Sequence, residues 1–116
     1  MSITRIDPGA RLSAAVVHKD TVYLAGQVAT AAIDKGVAEQ TREVLEIIDS
    51  VLAKAGTDKS KLLWVQIWLP DIGTFDAMNA VWDAWVDPAN PPARACGESR
   101  LATPDYRVEI IAVAAR

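Results

Sequence analysis

Cysteine and histidine each occur once in this chain of 116 residues, as Cys96 and His18. A single cysteine cannot close an internal disulfide, so nothing points to an oxidising compartment. The same scarcity leaves a zinc site within one chain short of ligands, because such sites usually take about three or four protein N or S donors. Long apolar runs are also missing, and none approaches the ~18 residues of a membrane helix. The opening MSITRIDPGA lacks the basic-then-apolar layout of a signal peptide. There is no excess of positive charge either: 12 Lys and Arg stand against 15 Asp and Glu, a net charge of −3. Sequence-independent nucleic-acid binding needs clustered cations to neutralise phosphates, so that class is disfavoured. These absences together lead us to expect a soluble, cytoplasmic protein with no cofactor, no membrane and no nucleic-acid partner.

What is present is an ordinary folded composition, 51% hydrophobic and 23% charged. The length suits one domain over residues 1–116, with one core. AAVVHKDTVYLAGQVA (14–29) is β-branched and aromatic on both sides of His18-Lys19-Asp20, which predicts a hairpin with a tight turn there. Residues 37–55 predict a helix, with Thr41, Val44, Ile48, Val51 and Ala55 on one stripe, Leu45 and Leu52 beside it, and Gly56 at its end. LLWVQIWLP (62–70) predicts a strand with Trp64, Gln66 and Trp68 on one face and Leu63, Val65, Ile67 and Leu69 on the other. Asp71 to Val86 predicts a second helix with a Phe75-Met78-Trp82-Trp85 stripe, stopped by DPANPP. Strands over 93–101 and 106–114 follow, joined by a turn at 102–105. The outcome is an α+β fold: two helices on one face of a mixed sheet of about five or six strands. The opposite face has no third layer to cover it, which predicts a homo-oligomer.

The last two strands carry the chemistry. If they form a hairpin pairing Leu101 with Tyr106, then Arg94, Cys96, Glu98 and Arg100 share a face with Arg107, Glu109, Ile111 and Val113, away from the helices. Arg100–Glu109 and Glu98–Arg107 diagonals would then neutralise four charges structurally. Arg94 would lack an acidic neighbour, and an arginine on a covered face must reach solvent or take an outside anion. Its planar fork suits a carboxylate. In this register Arg94 and Glu109 lie roughly 13 Å apart at ~3.3 Å per residue, so a small substrate meets both only where two subunits join.

VYLAGQVA (22–29), QTREVLEIID (40–49), FDAMNAVWDAW (75–85), PPARACGESRL (91–101) and YRVEIIAVAA (106–115), in that order, resemble the Rid family, the reactive intermediate deaminases or YjgF-like proteins. The resemblance spans nearly the whole chain. It implies a chorismate-mutase-like α+β fold assembled as a homotrimer with a barrel-like centre and clefts between subunits. It also implies a hydrolase that converts 2-imino acids and their enamine tautomers, released by pyridoxal-phosphate enzymes, to 2-oxo acids and ammonia. Carried over by position, Arg94 matches the arginine that binds the substrate carboxylate. Cys96 matches the cysteine beside it, whose main chain contributes to the pocket. Glu109 matches the glutamate near the attacking water, and Asn79 an asparagine near the cleft. Leu12 and Ala25 stand where the archetype has a tyrosine and a serine, which marks a divergent subgroup.

Two readings stay open. Retention of Arg94 and Glu109 favours the deaminase. Loss of the two hydroxyls favours a non-catalytic trimer that binds a small carboxylate, or a stress or chaperone-like protein. An RNA-acting translation inhibitor is a third, disfavoured by the acidic balance. Cys96 reads as a packing residue rather than a nucleophile, Trp64 and Trp68 as core or interface residues, and His18 as a turn residue.

Overall fold

A two-residue turn, Lys19-Asp20, folds the second strand back against the third, with Lys19 in the left-handed region at φ 55. The computed structural model describes residues 2–116. Its strands are β1 (Ile3–Pro8), β2 (Ser13–His18), β3 (Thr21–Leu24), β4 (Leu62–Leu69), β5 (Ala93–Glu98) and β6 (Glu109–Ala115). The helices are α1 (Val37–Lys54), between β3 and β4, and α2 (Phe75–Trp85), between β4 and β5. Single 3-10 turns at Lys59–Lys61 and Ile72–Thr74 lead into β4 and α2.

All six strands form one sheet in the order β1-β2-β3-β6-β4-β5. β4 and β5 are parallel and every other pair is antiparallel. β3 and β4 therefore also run the same way, with β6 between them. Parallel strands need a crossover, and both crossovers here are helices that lie over the same face. That face holds Ala15, Val17, Val22, Leu24, Val65, Ile67, Leu69, Ile110, Ala112 and Ala114, all buried. They meet Val44, Leu45, Ile48, Val51 and Leu52 of α1 and Met78, Val81 and Trp82 of α2 in one core. Trp85 Nε1 donates to Asp49 at 2.9 Å and ties the helices together.

The α1 stripe is buried as its periodicity predicts. Gly56, at φ 80, ends the helix with Thr57 N donating to Leu52 O at 3.0 Å. β4 splits its faces as expected, apart from Leu63. The ladder slips there between Leu62 and Trp64, which leaves both Leu63 and Trp64 exposed, at 50% and 41%. β1 has no counterpart in the sequence reading. It is an edge strand with every residue but Ile6 exposed, so no apolar alternation marks it.

The predicted β5–β6 hairpin does not form. β4 lies between the two strands, parallel to β5 and antiparallel to β6. Both are short, and residues 99–108 run between them as a loop rather than a tight turn. β4 is almost wholly apolar, and a central position hydrogen-bonds both its edges, which a β5–β6 pairing would have denied it.

The open face carries Tyr23, Trp64, Gln66, Trp68, Glu109, Ile111 and Val113. It is an exposed, largely apolar surface of the kind that marks an interaction site. Among the described residues no helix is long and apolar enough to cross a membrane.

Candidate active site

Arg94 leaves β5 on the helix side of the sheet, because its ladder partner is the buried Val65. The guanidinium lies over α2. Nη1 donates to Asn79 Oδ1 at 2.7 Å, and Cζ sits 5.2 Å from the Trp82 ring centroid and 5.9 Å from that of Phe75. Phe75, Asn79 and Trp82 are spaced by four and three, so one stripe of α2 presents an amide between two aromatic faces. The core claims Trp82, while Phe75 at the top of the stripe stays 38% exposed beside the arginine. Among the described residues the one ion pair is Lys54–Asp7, at 2.7 Å. Arg94 is thus held by a neutral amide and ring faces, and most of its five N–H donors remain available to an incoming carboxylate.

Cys96 follows two positions along on the same side, packed against the core. Burial pushes its thiol up and outweighs the opposing pull of the Arg94 charge, so it stays protonated at neutral pH, as a packing residue would. Glu98 is engaged elsewhere: its Oε2 accepts from Ile72 N at 3.0 Å.

Glu109 is on the other side of the sheet. Its ladder partner is Trp68, and its side chain lies on the open face. A methyl group at Gly26 would sit 2.8 Å from Glu109 Oε2 and 3.0 Å from its Cδ, so the carboxylate rests directly against the glycine. Gln27 and Ile110 exchange main-chain hydrogen bonds at 2.9 and 3.1 Å and lock the two segments together. Ala25 and Leu12 supply no hydroxyl near them, and Leu12 projects 63% exposed from the Gly9–Leu12 turn.

The expectation of one charged face is therefore corrected. Arg94, Cys96 and Glu98 point to the helices and Glu109 to the open face, since β4 sets the register of both strands. Neither the Arg100–Glu109 nor the Glu98–Arg107 pair forms, and Arg100 and Arg107 are exposed. Arg94 and Asn79 are brought into contact and Cys96 lies near them, while Glu109 is separated from all three by the thickness of the sheet.

Two residues that the sequence reading missed, both on α1, hold the loops that flank β3 and β6. Gln40 is fully buried in α1. Its Nε2 donates to the carbonyls of Ile33 (3.2 Å), Lys35 (3.1 Å) and Asp105 (2.9 Å), and its Oε1 accepts from Arg107 N at 2.8 Å. One turn on, Glu43 accepts from the main-chain N–H groups of Thr30 and Ala31 (3.0 Å each) and Ala32 (2.7 Å), and from the Thr30 hydroxyl. Those N–H groups hold its carboxyl at about 2, well below the usual carboxylate range. The available signal was a polar Gln40 four residues before Val44 and eight before Ile48, on the apolar side of the helix.

Fold and site together define an α+β chain with an arginine on an edge strand that has no carboxylate partner, and an uncovered apolar sheet face. It belongs to the endoribonuclease L-PSP family, the group of the RutC and YjgF-like proteins, whose family model matches residues 2–116. It is similar to a RutC family protein of Haemophilus influenzae, 46% identical over 114 residues, or 98% of each chain. Human 2-iminobutanoate/2-iminopropanoate deaminase is a more distant relative, 31% identical over 88% of this chain and 77% of that protein. Among solved structures, NMB1025 of Neisseria meningitidis, a member of the YjgF family, superposes with a TM-score of 0.97 at 43% identity, covering 100% of this chain and 96% of that one.

Proposed function

We propose that the protein hydrolyses 2-imino acids and their enamine tautomers to 2-oxo acids and ammonia, in clefts between the subunits of a homotrimer. The observation that carries this reading is the Arg94 guanidinium, set by Asn79 and two rings with no carboxylate of its own. A fork so placed grips the carboxylate of a small acid by parallel charge-assisted bonds. Glu109, facing away from Arg94 within one chain, is supplied by the neighbouring subunit, and the apolar open face is the surface that brings the two together. The human relative named for 2-iminobutanoate and 2-iminopropanoate supports the substrate class.

The reaction asks for holding and orientation, which alone contribute several kcal/mol. Arg94 fixes the carboxylate of a protonated imine. Glu109 takes a proton from water as the water oxygen bonds to C2. Glu109 passes that proton to the nitrogen of the tetrahedral adduct, which leaves as ammonia, and the C2 hydroxyl gives its own proton to the freed Glu109 carboxylate as the C2–O bond closes to the 2-oxo acid. Cys96 forms no bond to substrate. No cofactor enters.

A binding-only trimer is the second reading, and the apolar Leu12 and Ala25 favour it, since neither offers a hydroxyl to water or substrate. RNA as the substrate is disfavoured by the net charge of −3. The deciding experiment generates imines in situ with an amino-acid oxidase and follows their decay in the presence of wild type or Arg94→Ala. The deaminase reading expects acceleration by wild type and its loss in the variant. Decay at the buffer rate for every side chain tried would sink it in favour of the binding trimer.

A further inference from the structure

Glu109 and Gly26 touch on the open face, yet the strand ends that carry them are each entered from an irregular segment. Glu109 is the first residue of β6, immediately after the 99–108 loop. Gly26 lies beyond the end of β3, in the stretch that runs through 27–36 to α1. Neither segment has a sheet ladder of its own apart from the Gln27–Ile110 bridge. Beyond that bridge and the bond from Ala25 N to Ala14 O at 2.9 Å, both loops are held by one turn of α1. Gln40 binds Asp105 O and Arg107 N on the segment leading to Glu109, and Ile33 O and Lys35 O on the segment leading from Gly26. Glu43 completes the hold on the second segment through the N–H groups of Thr30, Ala31 and Ala32.

We propose that Gln40 is a positioning residue for Glu109: its buried amide joins the two loops and so sets where the carboxylate stands against Gly26. Only an amide can do this. Its Nε2 meets three carbonyls while its Oε1 meets one N–H, and no other neutral side chain of that length presents both a donor pair and an acceptor. The inference rests on the reading that Glu109 handles the attacking water. Gln40 touches neither substrate nor water. It acts through Arg107 N, two residues from Glu109.

The experiment compares wild type, Gln40→Met and Leu52→Ala in the imine assay, at a temperature well below all three melting points. Leu52 is fully buried on the same helix, away from both loops, and serves as a control for lost stability. The expected result for Gln40→Met is a fall in kcat on the order of tenfold to a hundredfold, the loss that an ångström of misplacement brings. KM should stay within about twofold, because Arg94 is untouched. Leu52→Ala should melt lower yet keep the wild-type kcat and KM. If Gln40→Met does not accumulate as folded protein, Gln40→Asn, which keeps the amide but draws it back by one methylene, is read by the same two criteria. An unchanged kcat in a folded Gln40 variant, or one lowered only together with a raised KM, would overturn the inference alone, since wild-type activity stands. A wild type without imine hydrolysis would instead overturn the proposed function beneath it.

Discussion

Arg94 and Asn79 meet across the seam between β5 and α2, guanidinium Nη1 to amide Oδ1 at 2.7 Å. The amide orients the fork without neutralising it. Asn79→Asp would put a carboxylate in nearly the same place and turn a neutral contact into a charge-assisted pair. The substrate carboxylate would then compete with an internal one. The expected outcome is a KM raised about tenfold, equivalent to ~1.4 kcal/mol, with stability unchanged or slightly improved. Steady-state kinetics beside a thermal melt check it, and a KM equal to wild type would show that Arg94 does not bind the substrate.

Gly26→Ala tests the other wall. The backbone at Gly26 lies outside the left-handed region, so an alanine is not strained there. The added methyl would meet Glu109 Oε2 at 2.8 Å, and the far end of a glutamate can swing aside. The fold should survive, with a melting point within a few degrees of wild type. The displaced carboxylate should cost on the order of tenfold in kcat with little change in KM.

Glu43 gives a pH-dependent prediction. Its folded carboxyl sits at about 2 against an ordinary 4.5, because main-chain N–H groups favour the charged form. A depressed carboxyl contributes stability that is fully present above about 4.5 and is lost as the pH falls towards about 2. The group is only partly withdrawn from water, so the contribution is discounted to ~1 kcal/mol. Glu43→Gln should therefore be less stable than wild type by about that amount at pH 7, with the gap closing through this window. Urea unfolding at pH 7, 4 and 2.5 measures it. A gap that is constant with pH would assign the loss to shape rather than charge.

The parts of this fold written in local pattern were legible beforehand. The α1 stripe, the two faces of β4 and the Lys19-Asp20 turn each depend on neighbours within a few residues. Strand partnering depends on the whole sheet. PPARACGESRL and YRVEIIAVAA look like a hairpin because nothing within them says that β4 will separate them. That insertion places Arg94 against α2 and leaves Glu109 opposite. For β6 the reading that Glu109, Ile111 and Val113 point away from the helices survives. For β5 it inverts, because Ala93, Ala95 and Gly97 lie on the open side, where Gly97 makes room for the Trp68 ring. Asn79 was visible through its motif, but its bond to Arg94 was not. Gln40 was visible as a polar break on the apolar side of α1, but its partners, all main-chain groups of irregular segments, leave no signature in side-chain periodicity.

The opposite orientations of Arg94 and Glu109 make a prediction that separates a shared cleft from a site within one chain. Arg94→Ala and Glu109→Ala should each be inactive alone. In a trimer built from both, a cleft works when the subunit offering its edge strand still has Arg94 and the neighbour offering its open face still has Glu109. Random assembly from equal amounts meets both conditions in about a quarter of the clefts, half for each. The two variants, mixed in denaturant and refolded together, should therefore regain about a quarter of wild-type activity, whereas the same variants refolded separately and then mixed should regain none until subunits exchange. Trp64→Arg, which places a charge on the exposed apolar face, should abolish the recovery along with the trimer, as read by light scattering. A mixture that stays inactive while light scattering shows intact trimers, and a tagged copy of one variant co-purifies the other, would mean that no working cleft pairs Arg94 of one subunit with Glu109 of the next.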